Sequence, residues 1–278
     1  MTDRLEAPMP DLRAPAPDFS VREYARTAAG SHRDQLDLSA YDAQPLTPET
    51  LRVIAFLRDI ESATMNNMRD LLVTPTHKDS RVTAFLTTWA FEKFWIADAL
   101  SVVLAAHQDV VVQAQTARHR ISGFARRFAD RFSPIRESLV ANSIGVDVIA
   151  THVAAGTIDT WLSQAAYTRI EELEPHPELV SMLERIRGIK ARHLEFLLPQ
   201  AEFRLEESEG ARTLTRRRLR RADWPTGARF QPASEAAYLF THLFEAAGHL
   251  LDEIDARIDA LPGQAGLGLM AARMKAYS

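Results

Sequence analysis

Within the stretch "GIKARHLEFLL", Lys190 and His193 stand three residues apart and would share one face of a helix. A glutamate at the first position would make the pair Glu-x-x-His, half of the dimetal site that helix bundles assemble from facing helices. The spacing recurs elsewhere. Glu61 lies 32 residues before Lys93, and Thr160 lies 30 residues before Lys190. Lys93 has Ile96 three residues on, as Lys190 has His193. At a rise of 1.5 Å per residue, a helix, a turn and a return take roughly 30 residues. Two long hairpins would therefore bring Glu61, Lys93 and Ile96 to the same level as Thr160, Lys190 and His193.

Such a set is poor in metal donors. Two divalent cations need several anionic oxygen and imidazole ligands, and two ammonium groups would repel them. A bundle that had merely lost its metals would fill with apolar side chains, because unpaired buried charge is expensive. Ile96 follows that rule, whereas Lys93 and Lys190 do not. A desolvated lysine beside a like charge can act as a base or as a Schiff-base nucleophile. His193 would shuttle a proton, and Glu61 would hold or polarise a partner. Trp89, Ile96 and Thr160 would line the pocket for a small-molecule substrate. Isomerisation, cyclisation, elimination and decarboxylation all suit this set, with no cofactor.

The elements that must position these residues are helical. Thr47 suits an N-cap and Pro48 a first helical position, opening "LTPETLRVIAFLRDIESATMNNMRDLL". "VTPTH" ends that segment, and Asp79 or Ser80 caps the next, whose apolar residues run round much of its circumference. Further helices are expected over 110–133, 139–172, 178–205 and 235–260, with a short one over 21–29. "EESEGAR" reads as a polar linker and the residues after 260 as a loose tail. The expected fold class is all-α. Residues 1–44 would form a partly disordered extension, 45–206 the main bundle and 207–278 a C-terminal helical extension.

Composition narrows the class further. A chain of 278 residues with 46% hydrophobic and 25% charged residues can bury a large core. A net charge of −4 predicts no general affinity for nucleic acid. The absence of cysteine excludes disulfides, thiolate metal sites and cysteine nucleophiles, and fits a reducing cytoplasm. The opening "MTDRLEAPMPDLRAPAPDF" lacks the apolar core of a targeting segment. "ALSVVLAAHQDVVVQA" is interrupted well short of a membrane span.

The local words carry a resemblance. "FLTTWAFEKFWIADALSVVLAAH" resembles the "W-A-Y-E-E-x-W-H-G-E-A-L" helix of bacterial ferritin-like diiron-carboxylate proteins related to acyl carrier protein desaturases. "RIRGIKARHLEFLLPQAEFRL" resembles their "I-A-R-D-E-A-R-H" helix. "FLRDIESATMNNMRDLL" and "GTIDTWLSQAAYTRI" resemble the other two ligand helices, with Glu61 and Thr160 at the carboxylate positions. The resemblance spans residues 45–205 and implies a ferritin-like four-helix bundle, an acyl-type substrate and a homodimer. On this alignment Glu61 and His193 match the family's ligands, while Lys93, Ile96, Thr160 and Lys190 depart from them. A diiron-type oxidoreductase holding iron or manganese would need ligands from neighbouring acids. Glu92, Asp98, Asp159 and Glu195 are at hand, each at a different helix angle from the position it would fill.

Two weaker signals remain. "HLFEAAGH" places His242, Glu245 and His249 close in sequence, without the spacing of zinc peptidases. The run Arg216, Arg217, Arg218, Arg220 and Arg221 reads first as a solvated helix face. Its functional version is docking of an acidic acyl carrier protein, by analogy with the desaturases. Three function classes follow in order: metal-independent enzyme, diiron-type oxidoreductase, and non-catalytic binding or structural protein.

Overall fold

The computed structural model describes residues 19–64, 68, 71–107 and 145–277, and these are all-α with no strand. The helices are α1 (Val21–Arg26), α2 (Ala40–Ala43), α3 (Pro48–Ser62), α4 (Ser80–Ala106), α5 (Asp147–Leu173), α6 (Pro177–Glu207), α7 (Glu209–Leu219), α8 (Ala233–Phe244), α9 (Gly248–Ala260) and α10 (Leu269–Tyr277). The helix expected over 110–133 lies outside the described residues, as do positions 139–144 of the next. None of the described helices is long and apolar enough to cross a membrane.

Local chemistry sets the helix starts. Thr47 accepts from the Thr50 amide ahead of Pro48, and Asp79 accepts from the amides of Arg81 and Val82 at 3.0 and 2.9 Å. His176 caps α6 in the same way, with Pro177 as its first residue. Glu174–His176 alone connect α5 to α6, so the two long helices turn back on each other and pack along their length. The pair α3 and α4 packs likewise. α4 buries Phe85, Ile96, Ala99, Leu100 and Val103 completely, as its apolar circumference predicts.

Three expectations need correction. The polar "EESEGAR" is no linker: Ser208 both ends α6 and caps α7, accepting from the Ala211 amide at 3.1 Å. The helix expected over 235–260 is two, broken at Glu245–Ala247, with Gly248 opening the second. The break lets α8 pack on α3 and α5 while α9 packs on α5 and α10. The tail forms α10, which buries Leu269 and Met270. At the other end, residues 19–44 lie against the bundle through buried Tyr24 and Tyr41.

Candidate functional site

Helices α3 to α6 each send a charged side chain into one interior cluster. Glu61 lies in the last turn of α3, where the carbonyl end of the helix disfavours a carboxylate. Two ammonium groups offset this. Lys190 of α6 donates to Glu61 Oε1 at 2.5 Å, and Lys93 Nζ of α4 forms an ion pair with Oε2 at 3.2 Å. Tyr167 of α5 also donates to Oε1, at 3.1 Å. On its other side Lys93 lies 3.8 Å from Asp159 of α5, whose Oδ1 accepts the Thr226 amide at 2.7 Å. Trp89, one turn before Lys93, places its ring 4.8 Å below the ammonium.

Burial by itself would neutralise each of these groups; their mutual charges overcome it at Glu61 and Lys93 but not at Lys190 and Asp159. It would raise the Glu61 carboxyl, but Lys190 and Lys93 hold it at about 2. It would lower Lys93, but Glu61 and Asp159 outweigh it and the ammonium is favoured. For Lys190 burial wins over the Glu61 attraction, helped by the charge on Lys93, and its pKa falls. For Asp159 burial also wins, against both lysines, and its pKa rises. Lys190 and Asp159 are therefore the two members of the cluster most easily brought to neutrality.

A cavity of about 240 Å³ opens onto one edge of this cluster. Leu71, Val82, Leu86, Trp89, Val153 and Leu197 form apolar wall, and Lys93 and Asp159 are its charged inner residues. Glu61 and Lys190 stand behind Lys93, off the wall. The residues Ala222–Arg229 contribute the rim, tied inward by the Thr226–Asp159 bond and outward by Arg273, which donates to the Ala222 carbonyl and to Asp223. His152 also lines the wall. It hydrogen-bonds Thr76 Oγ1 at 2.8 Å, and burial with the nearby Arg218 charge holds it at about 3, so it is neutral.

The structure thus brings Glu61, Lys93, Lys190 and Trp89 together, and separates the rest of the expected set. His193 turns to a second buried cluster, donating from Nε2 to Glu92 Oε2 at 2.9 Å. Glu92 also accepts from the Tyr24 hydroxyl at 2.6 Å, the Ala29 amide at 2.8 Å and Arg192. Burial holds His193 at about 4, against the pull of Glu92. Ile96 is buried and Thr160 donates to the Gly156 carbonyl at 2.7 Å; neither lines the cavity. Asp159, expected only as a displaced metal ligand at a different helix angle from Thr160, faces Lys93. Tyr167 was missed, though it lies two turns after Thr160 on the same helix face. Nothing local marks Tyr24, which reaches Glu92 across 68 positions.

The donor set does not fit a dimetal centre. Both oxygens of Glu61 are met by ammonium groups, and among the described residues no three His, Asp or Glu side chains converge on a common point. Asp98 is held by Arg33 and Glu195 is exposed. Of the C-terminal candidates, His242 stacks on Tyr238, and the helix break separates it from His249. In the arginine run, Arg216 donates to the carbonyls of Gly263 and Ala265, Arg218 is half-buried, and Arg217, Arg220 and Arg221 are exposed. Comparison of the chain with known protein families, curated proteins and solved structures finds no match.

Proposed function

We propose that this protein is a metal-independent enzyme built on a ferritin-like four-helix bundle, acting on a small apolar or acyl-type molecule by proton transfer next to a carbonyl. Isomerisation, cyclisation, elimination and decarboxylation share that requirement: a fixed positive charge where negative charge develops on oxygen, and a group that moves a proton. The observation that carries the reading is the apolar cavity whose inner end holds Lys93 and Asp159 side by side.

In this reading Lys93 acts as a fixed cation, since Glu61 and Asp159 favour its ammonium form over an amine nucleophile. Asp159, whose pKa is raised by burial, is the carboxylate that accepts the proton and returns it. Glu61, Lys190 and Tyr167 hold Lys93 in place from behind. His193 fixes Glu92 and with it the helix turn that bears Lys93, rather than shuttling a proton to substrate. Docking of an acidic acyl carrier protein on Arg217, Arg220 and Arg221 belongs to the same proposal, because the chain runs from that helix straight into the cavity rim. So does the homodimer.

The test is solvent deuterium uptake. Purified protein is incubated in D2O with a panel of short saturated, 2-enoyl and 3-oxoacyl thioesters, and label next to the carbonyl is read by mass spectrometry. Uptake is expected for at least one class, reduced about a hundredfold in Asp159→Asn, in keeping with loss of a general acid–base group. No uptake above the protein-free rate with any class would overturn the proposal, as would uptake unchanged in Asp159→Asn. Elemental analysis after growth with iron and manganese supplied is the companion measurement. Near-stoichiometric metal would overturn the metal-independent reading.

A further inference from the structure

A second concave surface lies between the Ala29–Gln35 segment and α6, where Ala29 and Arg192 bond Glu92. It is an open cleft of about 360 Å³. Arg185 and Arg192, two turns apart on α6, stand at its two ends, with Gly188 between them. Gly30 and His32 face them from the segment above.

The two arginines are partnered differently. Arg192 is engaged by Glu92 and by the Thr27 carbonyl and hydroxyl. Arg185 has no carboxylate within ion-pair distance among the described residues. Among the described residues it donates only to the Ser181 hydroxyl and, at 3.3 Å, to the Gln35 carbonyl. Among the described residues its buried Nε has no hydrogen-bond partner, nor does Nε2 of His32, a side chain only 4% exposed. Burial and the Arg185 charge keep His32 neutral, so its ring can donate from Nε2. Asp98 is paired with Arg33, and Glu92 with Arg192, His193 and Tyr24, so neither is free to neutralise Arg185.

The glycines supply an independent observation. A glycine inside a helix weakens it relative to alanine, so Gly188 in the middle of α6 needs a reason. Packing supplies none, because a Cβ at Gly188 would meet nothing within 4 Å. The same is true of Gly30 across the cleft, and neither backbone has a positive φ. Both glycines keep open the space between the two arginines.

We propose that this cleft binds a small oxyanion of the phosphate type, with Arg185 as its counter-charge, His32 Nε2 as a neutral donor and the Gly30–Gly188 gap as its seat. The site is separate from the Lys93 cavity and does not depend on the reaction assigned there. Because the segment above it carries Tyr24 and Ala29, both bonded to Glu92, an occupied cleft would also fasten that segment over the bundle.

The experiment is calorimetric titration of the full chain, in a phosphate-free buffer, with inorganic phosphate, and with acetate at matched ionic strength. Saturable heat with phosphate, weaker with acetate, is expected. Arg185→Met should weaken phosphate binding about tenfold, and Gly188→Val should abolish it by filling the seat. Gly188→Ala guards against a trivial loss of fold: it should raise the Tm of the phosphate-free protein while weakening binding. The absence of saturable heat up to about 10 mM phosphate, far above the millimolar affinity of a weak site, overturns the proposal. Binding that survives both Arg185→Met and Gly188→Val does so too, and would place the anion elsewhere.

Discussion

Glu61→Gln is the sharpest probe of the buried cluster, because Glu61 is the hub on which Lys93, Lys190 and Tyr167 converge. Glutamine keeps the shape and mimics the protonated carboxyl. The folded protein holds that carboxyl at about 2 against an ordinary 4.5. At 1.36 kcal/mol per pH unit, that difference amounts to about 3 kcal/mol of stability. The sign follows from linkage. A carboxyl with a depressed folded pKa contributes fully above about 4.5 and loses its contribution as pH falls through 4.5 towards 2. Glu61→Gln should therefore be less stable by about 3 kcal/mol at pH 7, and the gap should shrink to about half by roughly pH 3. Urea unfolding of both proteins, followed by circular dichroism at a series of pH values, measures this directly. A constant gap from pH 7 to pH 3 would refute the reasoning, since it would mean that Glu61 does not titrate differently in the folded and unfolded chains.

Tyr24→Phe removes a 2.6 Å hydrogen bond to the Glu92 carboxylate and should cost about 2 kcal/mol, the usual size for a bond to a charged acceptor. The Ala29 amide, bonded to the same carboxylate, should then exchange faster with deuterium; unchanged exchange would contradict a role for Glu92 in fastening the N-terminal segment. His193, held at about 4 by burial, should show no ring titration by NMR between pH 8 and pH 5, and a midpoint near 6.5 would contradict its burial. Because the unfolded chain protonates this histidine first, its contribution should erode as pH falls from 6.5 towards 4. Ser208→Ala, which removes the α7 cap and a 2.9 Å bond to Asp147, should cost about 1 kcal/mol in thermal or urea unfolding. A loss indistinguishable from zero would mean that α7 is held by its buried face alone.

The helices were readable where short-range chemistry governs them. Thr47–Pro48, Asp79 and the "EPHPE" turn contain their own instructions, since caps and prolines act within a single turn. The helix break at Glu245–Ala247 was not readable, because no proline stands there and the gain comes from packing one segment on α3 and α5 and the other on α5 and α10. The α7 helix was obscured by its polar composition: its few buried side chains, Ala211, Leu214, Thr215 and Leu219, are spread among arginines.

The candidate site divides the same way. Spacing along two long hairpins was enough to place Glu61, Lys93 and Lys190 at one level, because helical rise and short turns are nearly fixed quantities. Which neighbour completes the cluster depends on helix rotation, and an error of one residue turns a side chain by about 100°. Asp159 rather than Thr160 faces Lys93, and His193 turns away to Glu92, for that reason. The cavity, the ionisation of its lysines and the Tyr24 bond arise between segments distant in the chain. Residue types and periodicity defined an all-helical protein with charge at its centre; long-range packing defined the partner of each charge and the charges that reach the cavity.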